Sequence, residues 1–456
     1  MKKIIFYISF ILTLVCSTQC TTDDLDPTLA QEKELGVSIN NFEDLQGILK
    51  GALNRMTQSD YYGRYFIIYD EIRGDHVFAN GNSGRFQTEG TLQYIPSNNR
   101  GIWSRAYAVI ASSNIIINVD LSKIDGEANK TKHIQGQAYL LRGLAHFDLL
   151  RQYGQQYASS GKLGIPYVTN YKGKNTIPPR NTIAETVSNI YKDFDSAYSM
   201  MNDAISNDKQ YPSKLTAKAL ESRLALYMGD WNRAEVAAKV VIDSGKYTIA
   251  KSTDYVASFE NDNTSNSIFE LAFSSTDNIG INGLGYIYRG VNYGDIEVLP
   301  FVKSIFDTVA DIRYGVFGYE GKKFRNMGKY PELQGYDNIS VIRIEEVFLN
   351  YAEALMEQGK NTEALEQINK LVNERGIPKY SGTLTKDQIL IERQRELIFE
   401  GFRFFDLTRT GKGIPIVDQL QNISKAVPAN DYRLALPIPL VEMDANSNMI
   451  QNSGYD

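Results

Sequence analysis

Apolar residues recur at three- and four-residue intervals along most of the chain, the spacing that lines one face of an α-helix. Phe42, Leu45, Leu49, Ala52 and Met56 form one such stripe. Ile183, Val187, Ile190, Phe194, Ala197 and Met201 carry another over five turns. Thr182 with Glu185 has the capping-box spacing just ahead of that helix, and Pro178-Pro179 bars helical entry from upstream. Thr385 with Gln388 predicts a second boxed start near Ile389. Between Ile134 and Gly154 there are two stripes, Ile134-Ala138-Leu141-Ala145-Leu149 and Leu140-Leu144-Phe147-Leu150. A helix apolar on two sides must be covered on two sides, as stacked helix pairs do.

Two segments align without gaps. Gly229-Asp230-Trp231-Asn232-Arg233-Ala234 leads to Ala238 and Val241, and Gly359-Lys360-Asn361-Thr362-Glu363-Ala364 leads to Ile368 and Leu371. In each, a helix ends at glycine and small residues admit the next helix, the tetratricopeptide pattern. The two copies lie 130 residues apart, so the array is interrupted. The predicted fold is mainly α: a tetratricopeptide-like superhelix of helical pairs with long irregular ligand-binding insertions, at roughly 60–100, 154–180 and 244–340. These stretches are rich in glycine and tyrosine, and loops this long in a compact protein serve function or are disordered. Their aromatic content argues for function.

The N-terminus changes the picture. Lys2 and Lys3 precede an apolar run from Ile4 to Val15, which is shorter than the roughly 20 residues of a membrane span and fits a cleavable signal. Both cysteines, Cys16 and Cys20, lie at its end, so a disulfide framework downstream is excluded. A cysteine followed by Thr21-Thr22-Asp23-Asp24-Leu25-Asp26-Pro27 resembles a bacterial lipoprotein cleavage site. The polar tether begins directly after Cys20, which favours Cys20 as the acylated residue, with Cys16 as the alternative. The expected organisation is a signal peptide over 1–19, an acylated N-terminus and tether over 20–40, and a binding domain over 41–456.

Composition adds exclusions. A net charge of −6 argues against nucleic acid as a partner, since phosphate binding needs a basic surface. The three histidines, His76, His133 and His146, share no metal-ligand spacing, and no metal or cofactor is expected. Phosphate-loop and nucleophile-elbow motifs are missing. Trp103 and Trp231 fall at core positions of helical patterns and are not expected to stack on a ligand.

Three blocks together resemble the SusD/RagB family of outer-membrane nutrient-binding lipoproteins. The first is Gln137-Ala138-Tyr139-Leu140-Leu141-Arg142-Gly143-Leu144-Ala145-His146-Phe147-Asp148 through Tyr153-Gly154, with Gly164-Ile165-Pro166-Tyr167 after it. The second runs from Ile344 through Tyr351-Ala352-Glu353-Ala354 to Arg375-Gly376. The third, Arg393-Gln394-Arg395-Glu396-Leu397-Ile398-Phe399-Glu400-Gly401-Phe402-Arg403-Phe404-Phe405-Asp406-Leu407-Thr408-Arg409, looks like the family's C-terminal signature and is the most specific. The resemblance implies a helical-repeat scaffold, an oligosaccharide or peptide ligand, no chemistry, and a SusC-type TonB-dependent transporter as partner at the outer membrane. A surface glycan hydrolase and a tetratricopeptide-type scaffold for envelope proteins are the other classes in play.

Glu396 and Glu400, four apart, have the spacing of a glycosidase carboxylate pair. The opposite charges at Arg393–Glu396, Glu400–Arg403 and Asp406–Arg409 point instead to arginine–carboxylate contacts that lock the helix to its neighbours. Ligand contact is then expected in the irregular stretches: Tyr61, Tyr62, Tyr65, Asp75, His76 and Phe78 in the first, and Tyr286, Tyr288, Arg289, Tyr293 and Asp295 in the third. Flat aromatics beside charged groups suit sugars and peptides alike. Alternation predicts Tyr286 and Tyr288 on one side of an extended segment.

Overall fold

The computed structural model describes residues 39–98, 101–155, 161–171, 177–205, 208–290 and 293–455. The expected signal peptide, Cys16, Cys20 and nearly all of the tether lie outside the described residues.

Helices follow where the stripes put them: α1 (Phe42–Met56), α2 (Tyr65–Ile72), α3 (Gly101–Ile117), α4 (Ala128–Tyr153), α5 (Ile183–Met200), α6 (Lys214–Met228) and α7 (Trp231–Asp243). After a long non-repeat region containing the short α8 (Leu284–Arg289) come α9 (Ile344–Glu357), α10 (Asn361–Asn373), α11 (Lys386–Leu397) and α12 (Arg403–Arg409). Local chemistry fixes their starts. Asn41 caps α1, Thr182 and Glu185 form the expected box on α5, Ser213 boxes α6, and Thr385 with Gln388 boxes α11. Gly229 and Gly359 both take φ near +70°, at 70° and 75°, which lets the chain turn tightly out of α6 and α9.

Successive helices pack in order, α1 on α3, α3 on α4, α4 on α5, α5 on α6 and α6 on α7. α7 then meets α9 across the long interruption, and α9 packs on α10 and α11. The two repeat copies are therefore neighbours in space although distant in sequence. As its two stripes required, α4 is covered on opposite sides; nearly every residue from Thr131 to Tyr153 is buried.

The interruptions contain more regular structure than their sequence suggested. Among the described residues six short strands form three antiparallel pairs: β1 (Val77–Ala79) with β3 (Ile296–Val298), β2 (Ser267–Leu271) with β6 (Ile339–Arg343), and β4 (Phe317–Glu320) with β5 (Lys323–Asn326). The first pairing, Val77 opposite Val298 and Ala79 opposite Ile296, ties the first irregular stretch to the third. One correction follows from α8. Tyr286 and Tyr288 lie in a helical turn, so alternation does not hold: Tyr288 is buried, and Tyr286 points to a different side and is half-buried.

Candidate functional site

The terminal signature turns inward. It is two helices rather than one, broken where Phe399 and Gly401 adopt φ of 71° and 80°. Glu396 is fully buried and accepts from Arg343 at 2.7 Å, from Arg375 at 2.8 and 2.9 Å, and from Arg313 at 3.5 Å. Glu400 accepts from Arg343 at 2.8 and 3.0 Å and from Lys329 at 2.5 Å. Burial pushes both carboxyls up, but the surrounding cations outweigh it and hold Glu396 well below, and Glu400 below, the usual carboxylate range. A glycosidase acid needs the opposite shift, so the pair is structural. Of the three expected i,i+3 pairs, Asp406–Arg409 forms, at 2.8 Å. Arg393 instead reaches Asp406, at 2.9 Å, and Arg403 reaches Asp75, at 2.6 Å. The helix break redirects them.

The candidate ligand residues divide by burial. Tyr61 and Tyr62 are buried, and both hydroxyls donate to Asp148 on α4, at 2.6 and 2.9 Å. Asp75 is buried against Arg403, and His76 is buried beside it, its imidazole pushed down to about 4 by burial. Tyr288 is buried between Tyr330 and Phe399. Asp295 is buried too, but it accepts from Ser83 N and from Arg85 Nε, at 3.0 and 3.1 Å, and so anchors a residue that is not.

What remains accessible is a set of half-buried rings where the first and third irregular stretches meet. Arg85 lies 3.9 Å over the Tyr293 ring, which meets Tyr286 edge-on at 5.6 Å. Tyr65 stacks on Tyr69 at 4.7 Å with 16° between planes, and Arg64 covers Tyr65 at 4.4 Å. Phe86 joins the halves, edge-on to both Tyr65 and Tyr69 and next to Arg85. Arg64 also donates to Asn282, at 2.7 Å, tying α2 to the turn before α8. The result is a platform of Tyr65, Tyr69, Tyr286 and Tyr293, with the Arg85 guanidinium partly exposed over Tyr293 and Arg64 buried against Tyr65. Partly exposed rings beside a guanidinium have the chemistry to stack on a sugar's apolar face and donate to its hydroxyls. Sequence reading missed Arg64, Tyr69, Arg85 and Phe86; the available signal was the Asn80-Gly81-Asn82-Ser83-Gly84 turn run delivering Arg85-Phe86 to a tip.

On the other side of α8 is a cleft of 380 Å³ bounded by the 258–267 and 330–340 segments. Its wall is acidic and amide-rich, with Glu260, Asp262, Glu332, Asp337, Asn261, Asn266 and Asn338. Asp337 is pushed up to about 7, first by burial and then by the charges of Glu332 and Asp262, with Arg289 pulling the other way. The run Glu260-Asn261-Asp262-Asn263-Thr264-Ser265-Asn266 was visible as a polar loop, but nothing in it announced a cavity.

A helical-repeat body with an aromatic platform and a polar cleft on its non-repeat part has the form of a binding module. Comparison with known proteins agrees. Residues 308–455 match the SusD family, and residues 26–226 match the family described as starch-binding associating with outer membrane. The chain belongs to the SusD/RagB family. It is 28% identical to a putative sugar binding protein from Bacteroides vulgatus, with a TM-score of 0.84 over 92% of this chain and 100% of that one. A SusD superfamily protein from Bacteroides thetaiotaomicron gives 0.85 at 27% identity, over 90% and 99% of the two chains. Among curated relatives, a SusD-like protein of Formosa agariphila is 24% identical over 100% of both chains. No helix among the described residues is long and apolar enough to cross a membrane.

Proposed function

We propose that this protein is a cell-surface lipoprotein that captures an oligosaccharide on the Tyr65–Tyr69–Tyr286–Tyr293 platform and passes it to a SusC-type TonB-dependent outer-membrane transporter. The observation that carries the reading is the guanidinium of Arg85 seated 3.9 Å over Tyr293, with Asp295 fixing it from below. That arrangement holds a ring and a donor rigidly at a half-exposed surface. Family membership, with its starch-binding and outer-membrane description, supports carbohydrate as the ligand class. An extended peptide is the second reading, favoured by the same tyrosines.

In this reading the protein binds and does no chemistry, and Cys20 carries the anchor. Several acyl chains on one residue give durable attachment at about 0.8 kcal/mol per buried CH₂. Cys20→Ala should move the protein from the membrane to the soluble fraction; retention of Cys20→Ala with release of Cys16→Ala would assign the anchor to Cys16. The ligand class is tested by electrophoretic retardation of the protein in gels holding soluble glycans, α- and β-glucans among them, beside a peptide panel. Retardation by a glycan supports the reading. Peptide binding without any glycan overturns it.

A further inference from the structure

The 380 Å³ cleft is lined by six carboxylates, Glu260, Asp262, Glu270, Glu332, Asp337 and Glu400, and by a single cation, Arg343. Two of its carboxylates are satisfied. Glu270 accepts from Asn263 N, Asn338 Nδ2 and Ser267 Oγ, at 2.9, 3.0 and 2.9 Å, and Glu400 is held by Arg343 and Lys329. Asp262 and Asp337 have no salt-bridge partner within 4 Å among the described residues, and Asp337 takes only the Glu332 backbone N–H, at 2.9 Å. Glu332 itself serves Gln334 N, at 2.8 Å.

An independent feature sits deeper. Asn266 is 4% exposed, and its Nδ2 donates to both oxygens of buried Glu345, at 3.2 and 3.3 Å. That fixes the amide so that Oδ1 is the free end, and Oδ1 is buried in the cleft wall with no donor. Ser340 Oγ, another lining atom, is also buried without a partner. A buried acceptor left unpaired costs about 1–3 kcal/mol, which an incoming donor recovers.

We propose that this cleft is a second ligand site, separate from the aromatic platform, for a sugar-sized molecule carrying a protonated amine: an amino sugar. An ammonium offers three donors, no acceptor and one positive charge. It would answer Asn266 Oδ1 and offset the mutual repulsion of Asp262, Glu332 and Asp337 at once. A neutral sugar satisfies the amide and hydroxyl but leaves the carboxylates repelling. The volume matches the lower end of ligand pockets, roughly 300–1,000 Å³, and Asn261, Asn338, Ser258, Thr264 and Tyr336 are placed at the wall for hydroxyls.

Proton linkage gives a signature. The groups acting on Asp337 are Glu332 and its N–H on the same loop, Asp262 on the facing loop and Arg289 on α8. A bound ammonium adds a positive charge and lowers the Asp337 pKa, so binding below pH 7 releases a proton.

The test is calorimetric titration of the purified protein, below pH 7, with chitobiose (the diamine), N,N′-diacetylchitobiose and cellobiose. Chitobiose should bind about tenfold or more tighter than either neutral sugar, the discrimination expected of a hydrogen-bonded charge. Buffers of different ionisation enthalpy should reveal proton release. Asp337→Asn and the exposed Asp262→Asn should each weaken chitobiose by about tenfold, and Asp262→Asn serves alone if Asp337→Asn misfolds. Equal affinity for the three sugars, or full chitobiose affinity in Asp262→Asn, overturns the proposal. Neither result touches the platform, which is read by glycans that depend on Tyr293.

Discussion

Two regions of this molecule bring charged and aromatic residues together in opposite ways. Around Glu396 the arginines 313, 343 and 375 are essentially fully buried, and every carboxylate oxygen has a guanidinium partner. Around Tyr293 packing is looser: Arg85 keeps 24% side-chain exposure over buried Asp295, and the Tyr286 and Tyr293 rings are half-buried. The first region exchanges hydration for dense pairing, which fixes α11 and α12 against α9 and the β6 strand. The second leaves its rings and its guanidinium partly exposed, the condition our proposed ligand contact requires. Residue type alone does not distinguish them; partner satisfaction does.

The largest effect should come from the paired region. Glu396→Ala removes a buried carboxylate shared by Arg313, Arg343 and Arg375 and leaves their charges under-compensated, and losing one partner of a buried pair costs about 3–5 kcal/mol. Chemical denaturation should show at least that loss, and a variant of wild-type stability would break the comparison.

Glu71 sharpens it, because it is a buried carboxyl with no cation in hydrogen-bond contact. Burial pushes it up to about 8, although Gly401 N donates to it at 2.8 Å. Its folded pKa lies above the unfolded value, so its contribution is complete below about 4.5 and is lost as pH rises through about 8. Glu71→Gln should therefore remove a decline in melting temperature between pH 5 and pH 8. An unchanged pH profile would show that Glu71 is ionised and paired.

The platform variants come next. Tyr286→Ala or Tyr293→Ala should weaken the true ligand by about 1 kcal/mol beyond lost area, with the melting temperature unaltered. Tyr61→Ala should do the reverse, destabilising the fold through Asp148 with no direct ligand contact. The smallest effect is at the exposed Lys239–Asp243 pair, 2.5 Å long on the surface of α7. Lys239→Ala should leave the melting temperature within error, since exposed pairs contribute little.

How legible this was follows from the range of each interaction. Capping boxes at Thr182 and Thr385 and the glycine turns at 229 and 359 are set by residues within four positions, and the chain spells them out. The dual stripe of α4 announced burial on two sides for the same reason. Whether a tyrosine faces solvent is decided by partners far away: Tyr61 and Tyr62 are claimed by Asp148, 87 and 86 residues on. Asp75 is claimed by Arg403, 328 residues on. Tyr286 and Tyr293 stand out in the chain because they cluster and are half-buried in the structure; Arg85 does not stand out, because its partner, Asp295, is 210 residues distant. The inward turn of the terminal signature was legible as charge pairing, but the break at Phe399 and Gly401 rewired two of its three pairs.

The central claim is that the Tyr286–Tyr293 platform, and not the buried tyrosines, recognises the glycan. It is tested most directly by calorimetric titration of a retarding glycan into the wild type and the Tyr286→Ala/Tyr293→Ala double variant, with thermal unfolding alongside. The account predicts that the double variant loses about 2 kcal/mol or more of binding, two aromatic contributions, at an unchanged melting temperature. Wild-type affinity in the double variant would contradict it.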